Sequence, residues 1–303
     1  ISRKIKRFIN KAIFFPYSEA IRQYREYYRR KVIQILSKHD KSVNYDSDDL
    51  FEFLQNKYPP YPDYGYDFYS SWSRGIERSA RLFRKFELLR NPGMKILEAG
   101  CGDGMVGCAL RTFGHEVLLT DMDDWRQNKA KDMDFSKNNL SVGLSFNSDT
   151  FDFVFSYNTF EHVNNPKIAF NELLRVCKKN GYVHLDFGPL YASPWGLHAF
   201  GTLRMPYPQY LFSEDFLKGK LQKLGILDLG KKLDNLQLLN KWRIKDFIKL
   251  FHNANCDVIS FSNSDSNFSH LDMIVKYPNA FTGRALDFND ITVEGITVSI
   301  RKR

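Results

Sequence analysis

Three things are scarce in this chain of 303 residues: cysteine, uninterrupted apolar sequence, and net charge outside the first segment. Cysteine occurs only at Cys101, Cys108, Cys177 and Cys256, with no CxxC pair, so neither a zinc site nor a disulfide framework is expected. A reducing, cytoplasmic setting is the default. No apolar run approaches the roughly 20 residues that cross a bilayer, and no hydrophobic signal core follows the basic residues behind Ile1. The absence of an initiator methionine is what a domain cut from a longer polypeptide would show.

The formal charge is +9, but residues 1–40 hold eleven Lys or Arg against Glu19, Glu26 and Asp40, a surplus of eight. A basic arm on a nearly neutral body is a weaker pointer to nucleic acid than a basic domain, and nucleic acid is not expected as a partner. The arm reads as helical, in two parts separated near Pro16. Arg22, Arg25, Arg29 and Arg30 share one face beside an apolar stripe of Ile21, Tyr24, Tyr28, Val32, Ile35 and Leu36. Such a helix either packs on the rest of the chain or makes a peripheral contact with an anionic membrane surface or acidic partner. A Pro- and Tyr-rich loop at 58–69 follows, then a helix that ends near Leu88 and Leu89 before the Asn91-Pro92-Gly93 turn.

From Met94 the pattern changes to short apolar strands alternating with helices. Strands are expected at Lys95–Ala99, Glu116–Thr120, Asp152–Ser156 and Tyr182–Phe187, with helices at Gly104–Phe113 and Lys167–Cys177. This alternation implies an α/β fold with a mostly parallel sheet covered on both faces. Toward the end, Ile244–Phe251 reads as helix, and Val258–Phe261, Asp272–Val275 and Ile296–Ile300 read as extended. The expected division is an N-terminal helical arm and loop at 1–90 and a catalytic domain at 91–303.

The strongest local signal is the strand running from Lys95 through Glu98 into Gly100-Cys101-Gly102-Asp103-Gly104. Glycines let backbone N–H groups and a helix N-terminus approach a ligand closely. Asp121, at the end of the next strand, is placed to accept hydrogen bonds from both hydroxyls of a ribose. A dinucleotide fingerprint would need glycine where Met105 stands. Downstream come Leu144 to Val154, then Glu161-His162-Val163, then Leu174-Arg175-Val176 leading to Gly181-Tyr182.

In order and spacing these blocks resemble the class I S-adenosylmethionine-dependent methyltransferases of the type "LPFxDxSFDxV…EH…RVLKPGG". The resemblance covers residues 90–190 well and 240–303 loosely. It implies a Rossmann-like, mostly parallel seven-stranded sheet with helices on both faces, S-adenosyl-L-methionine as cofactor and S-adenosyl-L-homocysteine as product. It further implies that Glu98, Gly100 and Gly102 line the methionine part, with Cys101 and Gly104 also at the cofactor, that Asp121 holds the ribose and that Met122 lies against the adenine. Ser156 would face the methyl-donor end. The family's adenine-edge acid aligns with Leu140 and Ser141, where no acid stands, so their backbone groups or Asp134 would serve instead.

Methyl transfer to an alcohol needs alignment and removal of a proton. The loop after the fifth strand, Asp186 to His198, resembles the "FGPxYxSPxGxH" loop of methyltransferases associated with surface glycans. His198 is the leading candidate base, with His162 and Asp186 as alternatives, and Tyr191 and Trp195 are candidates for an aromatic wall against a sugar. His184 reads as a core residue. No metal site is expected, and residues 200–240 read as a substrate lid with domain packing as the alternative. The expected activity is O-methylation of a glycan hydroxyl, in a protein fused to or associated with glycosyltransferases. A phenol or quinone O-methyltransferase and a non-catalytic S-adenosylmethionine- or RNA-binding protein are the alternatives.

Overall fold

A computed structural model describes residues 15–60, 65–228, 231–266 and 269–303. The first part of the expected basic arm lies outside the described residues. Helix α1 (Phe15–Leu36) starts with Pro16 in its first turn, where a missing N–H costs no hydrogen bond. None of the described helices is long and apolar enough to cross a membrane.

Seven strands form one sheet: β1 (Lys95–Ala99), β2 (Glu116–Asp121), β3 (Phe135–Lys137), β4 (Phe151–Tyr157), β5 (Cys177–Phe187), β8 (Cys256–Asp265) and β9 (Val293–Lys302), while β6 (Ile226–Asp228) and β7 (Lys231–Leu233) make a separate hairpin. The order is β3-β2-β1-β4-β5-β9-β8. The first five strands run parallel, and β9 is antiparallel to both of its neighbours. The chain winds outward from β1 to β3 and then returns past β1 to β4. The carboxyl ends of β1 and β4 are therefore the switch point, where open α/β sheets form ligand crevices.

Pleating divides each strand between two cores. Leu97, Val154, Val183 and Leu185 face α5 (Pro166–Val176) and α8 (Ile244–Asn253). On the other face Ile96, Phe153 and Phe155 pack with α4 (Met105–Thr112) and with α3 (Phe68–Lys85) through Leu82. Helix α3 buries Ser71, Gly75 and Ser79, a stripe of small residues at four-residue spacing. A Cβ on Gly75 would stand 2.6 Å from the Met105 carbonyl oxygen, so glycine is what allows α3 to touch the start of α4. The helix assigned to the arm by sequence thus lies directly against the sheet's helical layer.

A third core holds Val32, Ile35 and Leu36 of α1 and Phe51 and Leu54 of α2 (Asp48–Lys57) with Leu203, Met205, Tyr207 and Phe212. Tyr207 is fully buried and donates its hydroxyl to the Ile291 carbonyl. Residues 203–212 of the expected lid, including helix α6 (Pro208–Leu211), are therefore largely core, whereas α7 (Glu214–Leu224) buries only Leu217 and Leu221. The Asp272–Val275 stretch, expected as extended, is helix α9 (Leu271–Lys276), whose Leu271, Met273 and Ile274 enter this same core. The end of α1 packs on α9 and on α10 (Phe288–Thr292).

Because the Gly75 contact is to backbone, which cannot rotate away, Gly75→Val should destabilise the fold by about 1–3 kcal/mol, the usual cost of overpacking. Urea unfolding of the purified variant should show a lower midpoint with an unchanged slope.

Candidate active site

Strand β1 ends in a turn in which Gly100, Gly102 and Gly104 all take positive φ, at 70°, 49° and 73°. A Cβ at Gly102 would meet nothing within 4 Å, so the turn has open space on the side its backbone presents. Asp121 braces this turn from the end of β2: its Oδ2 accepts the Gly102 N–H at 2.9 Å and its Oδ1 the Met122 N–H at 2.7 Å. Burial raises the Asp121 pKa, and these two amides oppose the rise. Met122 is exposed beside it.

Three residues expected at the cofactor are buried. Glu98 is buried, and its Oε2 accepts the Gly107 N–H of α4 at 2.8 Å. Burial drives its pKa well up. Cys101 is buried, with its thiol pKa raised by the same cause. Ser156 is buried and donates its hydroxyl to the Ala99 carbonyl at 2.6 Å. Glu98 and Ser156 thus tie the start of the glycine turn to α4 and β4. Leu140 is in the core, and the Ser141 hydroxyl accepts the Asn164 N–H at 3.0 Å.

The turn that leaves β4 stands directly alongside. The Thr159 hydroxyl is 3.2 Å from the Gly100 carbonyl oxygen, and any side chain at Gly100 would collide with Thr159. Glu161 and His162 follow in this turn, which Asn240 clamps: its side chain donates to the Phe160 and Val163 carbonyls at 2.6 and 3.0 Å, and its N–H to the Glu161 carbonyl at 3.0 Å.

His198 arrives from the loop after β5, in the left-handed region at φ 56°. Its ring meets that of His162 edge to face, with centroids 4.7 Å apart. A carbonyl oxygen can only accept, so His198 Nε2–H donates to Pro189 at 2.7 Å and His162 Nδ1–H to Leu238 at 2.8 Å. The lone pairs of neutral rings then lie on His198 Nδ1 and His162 Nε2. Burial, helped by the neighbouring His162, pushes the His198 pKa down to about 3. Burial pushes the Glu161 carboxyl up to about 8, against the pull of the Gly188 N–H that its Oε1 accepts at 3.2 Å.

The structure thus joins His198 to His162 and adds Glu161. Asp186 is on the face of β5 toward α3, where Arg78, Arg81 and Lys85 act on it. Arg78 also lowers the pKa of Glu98 and of Glu161, so one helix supplies a cation that opposes the burial of three acids. His184 is buried in the core, with its Nδ1 2.9 Å from the Ser299 hydroxyl. Tyr191 lies against Tyr210 with Lys241 Nζ 5.1 Å from its ring centre, and Trp195 meets His270 edge to face. Sequence reasoning missed Thr159, Asn240 and Arg78. Only Arg78 left a trace, as the residue beside the small stripe of α3.

A methyltransferase-domain family model matches residues 71–260, and the chain belongs to that family. An uncharacterized protein of Methanocaldococcus jannaschii is 32% identical over 106 residues, 35% of this chain and 45% of the relative, so the chain spans under half of that protein's length. An S-adenosylmethionine-dependent methyltransferase from Mesorhizobium loti resembles the chain with a TM-score of 0.44 at 17% identity, covering 74% of this chain and 96% of its own. Another from Methanosarcina mazei gives 0.42 at 18% identity, covering 71% and 95%.

The cofactor is S-adenosylmethionine, and the residues present fit it. The space above Gly102 leaves room for the methionine portion, and the Asp121 carboxylate at the strand end is an acceptor for ribose hydroxyls. Since Asp121 both braces the turn and would accept from the ribose, Asp121→Ala should weaken S-adenosylmethionine binding by roughly tenfold to a hundredfold, the loss of about 1.5–3 kcal/mol from a charged hydrogen bond. Calorimetry with an unchanged circular-dichroism spectrum as control measures it.

Proposed function

We propose that this chain transfers the methyl group of S-adenosylmethionine to a hydroxyl oxygen, with a sugar of a glycan as the acceptor class. The hydroxyl oxygen attacks the methyl carbon, the carbon–sulfur bond breaks, S-adenosylhomocysteine departs and one proton is released. When bound, the cofactor supplies the activated methyl group. The chain's residues orient both reactants and manage that proton.

The observation that carries the reading is the convergence of Glu161, His162 and His198 beside the glycine turn, joined to it through Thr159. An acceptor that already carries a lone pair and no obligatory proton, such as a tertiary amine or thioether, needs no such cluster. A hydroxyl does. The half-buried Tyr191 and Trp195 on the same loop as His198 supply apolar ring faces of the kind that cover sugar C–H groups.

His198→Ala should lower turnover by about a hundredfold to ten-thousandfold, the range for loss of a proton-handling group. Its affinity for S-adenosylmethionine should stay within about threefold of wild type, well under the tenfold that 1.4 kcal/mol represents. The check is transfer from radiolabelled donor to a panel of glycosides and phenols, with calorimetry alongside. Labelling of phenols with no glycoside accepted would replace the glycan reading. Near-normal turnover in His198→Ala would remove this residue from the chemistry.

A further inference from the structure

We propose that Glu161, His162 and His198 bind one divalent transition-metal ion, of the zinc or manganese kind, whose remaining coordination positions hold the acceptor's hydroxyl oxygen. The role given to the ion rests on the O-methyltransferase reading; the ion site itself does not. It also departs from the expectation of a metal-free site that the sequence spacing suggests.

One ligand-type atom from each residue lies within 4.8 Å of the others. Donors about 2.0–2.2 Å from a common tetrahedral ion stand roughly 3.3–3.6 Å apart, so the set closes if its widest pair draws in by a little over an ångström. His162 Nε2 is already 3.8 Å from Glu161 Oε1. The ring orientations favour this arrangement. Each histidine gives one ring N–H to a backbone carbonyl, the outer contact that fixes tautomer and direction in metal-ligating histidines, and this leaves the lone pair on the second nitrogen.

Glu161 supplies the independent observation. Its side chain is almost wholly buried, its Oε1 accepts the Gly188 N–H, and its Oε2 has no hydrogen-bond partner among the described residues. A buried carboxylate oxygen left without a partner costs about 1–3 kcal/mol or more. The ring-to-ring contact of the two histidines accounts for their packing, yet it leaves this oxygen unexplained. A cation bound by the Glu161 carboxylate together with the two rings would give this side chain its missing partner.

Two imidazoles and one carboxylate form the donor set of catalytic zinc sites that keep a position open, and manganese or iron accept the same set. A hydroxyl bound there has a lowered pKa and releases its proton to water. Its oxygen then displaces S-adenosylhomocysteine from the methyl carbon. On this account the imidazoles act as ligands, so loss of His198 abolishes acceptor activation through loss of the ion.

The test uses the full chain, stripped with chelator and titrated with Co2+ or Zn2+ by calorimetry, with cobalt's visible absorption as a second readout. S-adenosylmethionine is titrated into the same preparations. The expected result is one ion per chain. Glu161→Gln should weaken ion binding at least as much as the tenfold to hundredfold that accompanies loss of an orienting partner, at roughly unchanged S-adenosylmethionine affinity. His162→Ala, at a partly exposed position that tolerates truncation, should do the same. Wild-type protein that binds S-adenosylmethionine but takes up no stoichiometric ion would overturn the proposal, as would variants that bind the ion as tightly as wild type. Ion uptake without S-adenosylmethionine binding would sink the methyltransferase reading and leave the site standing.

Discussion

Parallel pairing of β1 with β4, in the register Ile96 to Phe153 through Glu98 to Phe155, forces the turns that leave these strands to stand side by side. Everything at the candidate site depends on that constraint. One turn is made of glycines and approaches a ligand through its backbone. The other carries Glu161 and His162. Thr159 fills the place a Cβ at Gly100 would need, so each turn fixes the shape of its neighbour. The relative position of the two turns is therefore set by strand order.

The surrounding elements hold those turns rigid from several directions. Glu98 under α4 and Ser156 against Ala99 stiffen the glycine turn. Asn240, from the insertion between β5 and α8, pins the Glu161 turn through three hydrogen bonds. Helix α3 brings Arg78 near three buried acids, which reduces the cost of keeping carboxyl groups out of water. The insertion packs into the core over residues 203–212 and reaches the site through Asn240. Placing reacting groups on stiff supports is what alignment of two substrates requires.

Much of the fold was legible because its strands are short, apolar and bounded by turn residues. Lys95–Ala99 is the expected strand residue for residue, and the Asp152–Ser156 strand was found to within one residue at each end. Asp272–Val275 misled because a short apolar run has no period to separate helix from strand, and packing against α1 decided for helix. The three residues of β3 are too few to show alternation. At the site, glycine spacing and Asp121 could be read directly. The bond from Glu98 to the Gly107 N–H could not, since nothing in the spacing of a strand carboxylate says which backbone amide it will meet. Nor could the meeting of Glu161 with His198, which are separated in the chain and joined only through the loop after β5.

The central claim is that the glycine turn and the Glu161–His162–His198 cluster face one space, with the methyl donor between them. A crystal structure with S-adenosylhomocysteine tests it most directly. The account predicts the ribose on Asp121, the homocysteine chain over Gly102, and the sulfur directed toward the His162 and His198 rings. An adenosyl group bound elsewhere, or a sulfur separated from the two histidines by protein, would contradict it.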